Sequence, residues 1–425
     1  MGITRSKLWT FNKSTNKKKL KQFDSNDEVT FDDFQILRAI GKGSFGKVCI
    51  IQKRNTKKMY AMKYMSKNLC IQKDAFANVL REIQLLTRLE HPFIVKLWFT
   101  FQDEEDIFMV VDLLLGGDLR YHLQQEDCFP EERVYFYLCE ISLALDYLHS
   151  KFILHRDIKP DNILLDEEGH VHLTDFNIAI ELKDGTEANS MSGTKPYIAP
   201  EVFECALDRR TGYSFEADWW SLGVCVYEMI SGSRPYDIHS TTNLEKVLDL
   251  QRKPWPSLEG TSVSSGFLSL LGSLLTYEPS KRIASLDNLR SADYCAKTNF
   301  NEIFGKLSSP PFVPPKDQLN CDPTFELEEM IIEARPLHKK KKRLSKRQSS
   351  KKNHSNHHGN HHLNHQNSSS FSDSGSLLDE NSPIKKCLQT IDQQFIIFNR
   401  EKEIEKKKFR EEEKIWEQEL EKVIN

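Results

Sequence analysis

Several short stretches of this 425-residue chain hold residue types that could do chemistry together. The first is Gly41-Lys42-Gly43-Ser44-Phe45-Gly46-Lys47-Val48, lying between two β-rich runs, so that the glycines fall in a hairpin turn. A turn stripped of side chains lets backbone N–H groups approach phosphate oxygens closely. The same spacing also arises in ordinary tight turns and in dinucleotide-binding folds, but the latter require a helix next, and here a strand is predicted. Seventeen residues beyond Gly46, Lys63 sits in the strand-like Ala61-Met62-Lys63, and Glu82 follows in a segment of helical spacing from Asp74 to Arg88. Lys63 supplies a cation for phosphates and Glu82 a carboxylate to hold it in place. Further on come His155-Arg156-Asp157-Ile158-Lys159-Pro160-Asp161-Asn162 and then Asp175-Phe176-Asn177. Asp157 is placed to accept a proton from an attacking hydroxyl, and Asn162 and Asp175 offer oxygen ligands suited to Mg²⁺. Each residue alone reads as a loop Asp or Asn capping a turn. The specificity lies in the order of the set, completed by Ala199-Pro200-Glu201 twenty-four residues beyond Asp175.

The elements that must position these groups are legible in the hydrophobic pattern. FQILRAI, KVCIIQKR and KMYAMKYM are short β-rich runs separated by turn residues, and a long helix is predicted from Pro130-Glu131-Glu132 to about Ser150. A small β-rich lobe therefore precedes a larger helical one, an α+β arrangement. The folded body spans 34–300, with the lobes at 34–113 and 114–300. It is preceded by a basic arm over 1–33 and followed by a Pro-rich and acidic-apolar tail over 301–338. A linker over 339–383 and a terminal segment over 384–425 complete the chain. Phe409, Trp416, Leu420 and Val423 fall near heptad spacing in that last segment, so a terminal helix is predicted, with Glu413 interrupting its apolar seam.

Composition excludes several classes. Lys+Arg total 59 against 62 Asp+Glu, so no global charge favours nucleic acid. The scattered cysteines include no CxxC pair, and no apolar run is long enough to cross a bilayer, which fits a reduced, intracellular protein. The charge is local: the first 21 residues hold seven Lys/Arg and no acid, and residues 339–352 hold nine with no acid. The second run could serve nuclear import or a membrane contact, but reads best as a solvated linker, and the six histidines between His354 and His365 read as biased composition.

Taken as a set, the motifs of residues 34–294 resemble those of a eukaryotic protein kinase. The resemblance implies a bilobal fold with ATP and Mg²⁺ between the lobes. Gly41, Gly43 and Gly46 would cover the phosphates, with Ile40, Lys42, Ser44, Phe45 and Lys47 around them. Lys63 would contact the α/β-phosphates and pair with Glu82, and Val48, Ala61 and Leu164 would sandwich the adenine. Met109 to Leu114 resembles the hinge, with Asp112 and Leu114 offering backbone hydrogen bonds to the base and Asp118 near the ribose. Asp157 would be the catalytic base, Lys159 would stabilise the migrating phosphoryl, and Asn162 and Asp175 would hold the metal. Lys159 together with Thr194 is similar to kinases of the serine/threonine type. Asp218 and the pair Glu201–Arg282 look architectural.

The hinge and the Pro-rich tail resemble the AGC group, and AIGKGSFGKVCI, LTDFNIA, GTKPYIAPE and NCDPTFELEEMI are similar to the YANK-type serine/threonine kinases. Where such kinases usually carry Gly after Asp-Phe, this chain has Asn177, the non-Gly residue that best tolerates positive φ, so the Asp175 side chain should still face the metal. Ser190 occupies the position of an activating phosphate, with Arg156 as its partner. Phe395-Ile396-Ile397-Phe398 is similar to a hydrophobic motif that docks on the helix carrying Glu82. Met1-Gly2-Ile3-Thr4-Arg5-Ser6 fits an N-myristoylation pattern at Gly2, and the basic arm would add attraction to an anionic leaflet. The expectation is thus a monomeric, cytoplasmic, membrane-associated kinase acting on protein substrates at the inner face of the plasma membrane. The competing reading is a catalytically silent scaffold, which loss of Lys63, Asp157 or Asp175 would have favoured; all three are present.

Overall fold

Residues 29–42, 46–183, 185–258, 262–317, 320–321 and 383–424 are described in the computed structural model of the chain. Gly2, the basic arm, Gly43, Ser44, Phe45 and the basic and histidine-rich stretches lie outside the described residues.

In the N-lobe the β-branched and aromatic runs become β1 (Phe34–Lys42), β2 (Gly46–Lys53), β3 (Met59–Ser66), β4 (Leu97–Gln102) and β5 (Asp106–Val111). Between β3 and β4 run α1 (Lys67–Gln72) and α2 (Phe76–Arg88). The sheet is antiparallel in the order β1-β2-β3-β5-β4-β11, its sixth strand being β11 (Phe398–Asn399) from the far end of the chain. On the outer face, the Phe101 and Phe108 rings stack 4.8 Å apart and Phe34 lies parallel to Phe101 at 5.8 Å. On the other face α2 buries Val79, Glu82, Ile83 and Leu86, residues three or four apart and hence on one side of a helix.

The C-lobe begins with β6 (Gly117–Asp118), α3 (Leu119–Glu126) and α4 (Glu131–Ser150). Pro130 caps α4, and Glu131 and Glu132 in its first turn complement the positive end of its dipole. Three short strands, β7 (Ile153–Leu154), β8 (Ile163–Leu165) and β9 (Val171–Leu173), carry the loops between them, and β10 (Ile180–Glu181) pairs with β7. The remaining body comprises α5 (Pro200–Ala206), α6 (Glu216–Ser231), α7 (Leu244–Gln251), α8 (Ser265–Leu274), α9 (Leu286–Arg290) and α10 (Phe300–Phe304). Trp219 and Trp220 at the start of α6 are fully buried, with Trp220 stacked on Tyr236 at 6.1 Å, and α6 packs against α4.

The tail then crosses back. Asn320 donates to Leu115 O and Pro315 O, both at 3.0 Å, fastening the strap to the hinge side of the cleft. Gly117, at φ +79°, gives the strap its room: a Cβ there would lie 2.1 Å from Asn320 O. Further along, α11 (Pro383–Gln394) packs against α1, and α12 (Arg400–Ile424) leaves the sheet edge as a charged helix that exposes Phe409 and Trp416. Among the described residues no helix is long and apolar enough to cross a membrane.

Candidate active site

Between the lobes lies a cleft of about 620 Å³. Val48, Ala61 and Leu164 form its apolar walls, Ile40, Gly41, Gly46 and Lys47 its roof, and Asp112, Leu114 and Asp118 its hinge side. Gly46 is needed by contact, since a Cβ would meet Tyr64 O at 1.7 Å. Lys42 is the last residue of β1 and pairs with Lys47, away from the cleft lining. Met65, Leu86 and Val95 complete the back wall, as does Thr174 near the floor, and Cys321 reaches the mouth from the tail; the strand and helix patterns contain no signal for these.

Lys63 Nζ stands 3.0 Å from both oxygens of Glu82 and 3.6 Å from Asp175 Oδ1. Burial works against the lysine's charge, but the carboxylates of Glu82 and Asp175 outweigh it and hold the ammonium above its ordinary pKa. Burial likewise pushes the Glu82 carboxyl up, while Lys63 and the Phe176 N–H pull it back. Phe176 is fully buried, edge-on to His155 at 4.8 Å, so Asp175 points into the cleft and Phe176 beneath α2.

Asp175 itself, at φ +60°, takes the left-handed conformation that Asp tolerates. Asn177 does not have positive φ, so the expectation that it would supply the left-handed residue of this segment is corrected. The unusual backbone is carried two residues earlier, and nothing in the φ of position 177 calls for glycine.

Asp157 is surrounded by donors, one of them the cleft-lining Asn162. Its oxygens accept from Lys159 Nζ at 2.8 Å, Asn162 Nδ2 at 2.9 Å, and Thr194 N and Oγ1 at 3.0 and 2.6 Å. Burial raises its pKa, but the hydrogen bonds from Lys159 and Thr194 more than compensate, leaving it below the usual carboxylate range. The loop bearing it is fixed from below by Asp218, fully buried, which accepts from His155 N at 2.9 Å, Arg156 N at 2.8 Å and His149 Nε2 at 3.0 Å. These bonds support Arg156 at φ +69°, a conformation of order 1–3 kcal/mol in cost. The buried pair Glu201–Arg282, at 2.6 and 2.9 Å, anchors the segment that follows Thr194.

The hinge offers a specific polar pattern. The Asp112 N–H already donates to Lys96 O at 3.0 Å, and its carboxylate accepts from Lys96 N at 3.0 Å and Trp98 Nε1 at 2.6 Å. Asp112 therefore has only its carbonyl left to offer at the hinge. Asp118 is committed as the cap of α3, accepting from Tyr121 N at 2.7 Å, and burial raises its pKa. Asp161 pairs with Arg120 at 3.3 Å, and Arg120 also reaches Glu228 at 2.8 Å. Ser190 Oγ accepts from Arg156 Nη1 at 3.0 Å, and the Tyr213 hydroxyl donates to Ser190 O at 2.7 Å.

A divalent cation fits the Asp175–Asn162 wall. Asp175 Oδ1 is buried without a hydrogen bond, the state in which a hard cation is the natural partner of a carboxylate oxygen. Among the described residues no group of three or more His, Cys, Asp or Glu could hold a metal by itself, so such an ion would depend on oxygens from a bound phosphate.

An antiparallel sheet closing over a helical body, with a lysine–carboxylate pair lining the cleft and a donor-ringed aspartate bonded to Asn162 beside it, is the arrangement of protein kinases. A protein kinase domain model matches residues 34–295. Human serine/threonine-protein kinase 32B is 56% identical over 380 residues, covering 89% of this chain and 86% of the relative. Mouse serine/threonine-protein kinase 32C is 53% identical over 380 residues, covering 89% and 74%. A RAC family serine/threonine-protein kinase homolog of Dictyostelium discoideum is 35% identical over 311 residues, covering 72% and 68%. The chain belongs to the protein kinase family and is a serine/threonine kinase, in line with the AGC-group and YANK-type resemblance of its motifs.

Proposed function

We propose that the chain transfers the γ-phosphoryl group of Mg-ATP to Ser or Thr hydroxyls of protein substrates at the cytoplasmic face of a membrane. The observation that carries the reading is Lys63 within reach of both Glu82 and Asp175, in a cleft whose lining residue Asn162 hydrogen-bonds Asp157. Bound Mg-ATP supplies the phosphoryl group and the cation that neutralises its charge. Lys63, oriented by Glu82, binds the α/β-phosphates; Asp175 and Asn162 hold the metal; Val48, Ala61 and Leu164 enclose the base. The carbonyl of Asp112 and the N–H of Leu114 orient it. Asp157 positions the acceptor hydroxyl and takes its proton, and Lys159 places a positive charge beside the transferring group. The hydrogen bonds from Lys159, Asn162 and Thr194 fix Asp157 in one orientation towards the acceptor. Phosphorylation of a randomised Ser/Thr peptide library, compared with Asp175→Ala, tests the assignment; equal signal from both proteins overturns it.

Membrane association is supported by the Met1–Ser6 pattern together with seven basic residues in the first 21. A single acyl chain gives only about 10⁴ M⁻¹ of binding, so the basic arm is the required second contribution. The expected result is co-flotation with anionic vesicles that Gly2→Ala abolishes; a Gly2→Ala protein that still floats sinks the acylation. Ser190 is proposed as an activation-loop phosphosite read by Arg156, because the guanidinium already stands against its hydroxyl.

A further inference from the structure

After α11 the chain returns to the N-lobe. Phe398 and Asn399 pair with Thr100 and Phe99 of β4, and the Phe398 N–H donates to Thr100 Oγ1 at 2.9 Å. The next side chain, Arg400, is only 6% exposed. Its Nε donates to Leu97 O at 2.5 Å, and its Nη2 to Leu86 O and Leu89 O, both at 3.2 Å. Leu86 lies in the last turn of α2 and Leu89 is its C-cap. The last carbonyls of a helix have no partner within it, and a cation there opposes the negative end of the helix dipole. A guanidinium, with five donors in a rigid fork, can therefore close the end of the helix and tie it to β4 at once. Beside it, Glu401 forms an ion pair with Lys53 and accepts from the Tyr60 hydroxyl at 3.3 Å. From Ile391 to Asn425 the sequence contains no Ser, Thr or Tyr, so this segment has no hydroxyl to phosphorylate.

We propose that Arg400 is a positioning residue for phosphoryl transfer: by closing the C-terminal end of α2 it keeps Glu82 on Lys63, from a docked segment that carries its own carboxylate, Glu401, and needs no phosphate. The inference rests on the roles given above to Lys63 and Glu82. Arg400 touches neither substrate nor the reacting atoms; it acts through the helix.

The test uses the full chain with Arg400→Ala and Arg400→Lys, measuring steady-state kinetics in Mg-ATP together with amide hydrogen exchange of residues 76–90, with α6 as reference. Arg400→Ala is expected to lower kcat/KM for Mg-ATP by about tenfold or more and to speed exchange in α2 while α6 is unchanged. Arg400→Lys, with one point charge for three carbonyls, should fall between. Faster exchange in α2 with unchanged kcat/KM would leave only a structural role and overturn the proposal, as would no change in either. Should Arg400→Ala loosen α6 as well, Arg400→Lys decides by the same two readouts. Peptide mapping of the active protein should find no phosphate on residues 383–425; a required phosphate at Thr390, shown by loss of activity in Thr390→Val, overturns the phosphate-free latch. Failure of the kinase reading itself would look different: the unsubstituted chain would show no transfer that Asp175→Ala removes.

Discussion

The Thr194 hydroxyl bridges the two charged side chains of the transfer site, donating to Asp157 Oδ1 at 2.6 Å and accepting from Lys159 Nζ at 2.8 Å. It thereby links the segment before α5 to the loop bearing the proposed base, and both groups are set before any substrate arrives.

Thr194→Val removes the bridge while keeping the shape of the side chain. Activity should fall by about 10- to 100-fold through kcat, because a misaligned acceptor loses orientation. Thr194→Ser should retain most of it. Equal kcat in Thr194→Val and the unsubstituted protein would show the bridge to be dispensable.

Arg282 and Glu201 are both buried, and Arg282 also donates to Thr276 O, Glu216 O and Tyr277 O. Arg282→Met leaves Glu201 uncompensated in the interior, a loss of about 3–5 kcal/mol. Chemical denaturation should show the midpoint drop, and activity per folded molecule should fall as well, because the pair anchors the segment that follows Thr194.

His91 lies buried against Tyr147 at 4.9 Å, with its Nδ1 accepting from the Phe93 N–H at 3.2 Å. Burial, reinforced by nearby His172, lowers its pKa from 6.5 to about 4. The unfolded chain therefore binds this proton more readily than the folded one. Stability from this group is present above pH 6.5 and is lost as pH falls towards 4, by at most about 3 kcal/mol. Denaturation midpoints measured between pH 7 and pH 4 should decline less steeply in His91→Gln than in the unsubstituted protein.

Asn177→Gly should leave kcat within about twofold and stability lower by no more than about 1 kcal/mol, since glycine adds freedom only to the unfolded chain here. A large gain in activity would mean that asparagine restrains Asp175, contrary to the backbone observed.

Local pattern carried much of this architecture into view. The runs FQILRAI, KVCIIQKR and KMYAMKYM appear as β1, β2 and β3 because alternation and β-branching act over a few residues, and the helix read as opening at Pro130-Glu131-Glu132 and ending near Ser150 runs from Glu131 to Ser150. The helix around Glu82 begins at Phe76 and not at Asp74, because Asp74 takes φ +50°. Lys63, Glu82, Asn162 and Asp175 line one cleft, and Asp157 is hydrogen-bonded to Asn162 beside it. What stayed hidden are contacts across great sequence separation. Arg400 meets Leu97 and Asn320 meets Leu115 through backbone carbonyls, which every residue possesses and no motif encodes. Asp161 and Asp118 were legible as residues but their partners were not: Asp161 is paired with Arg120, and Asp118 is spent on capping α3.

The strap at Asn320 and the strand at Phe398 mean that the two lobes are joined by two covalent routes, the hinge and the tail. The polypeptide thus closes a ring around its own cleft. Cutting that ring between residues 321 and 383 would turn the final segment into a separate ligand for the N-lobe. Its docking would then depend on concentration, whereas in the intact chain it is an intramolecular event. A split protein of this kind would be regulated by dilution alone, and the covalent ring is what spares the native chain that dependence.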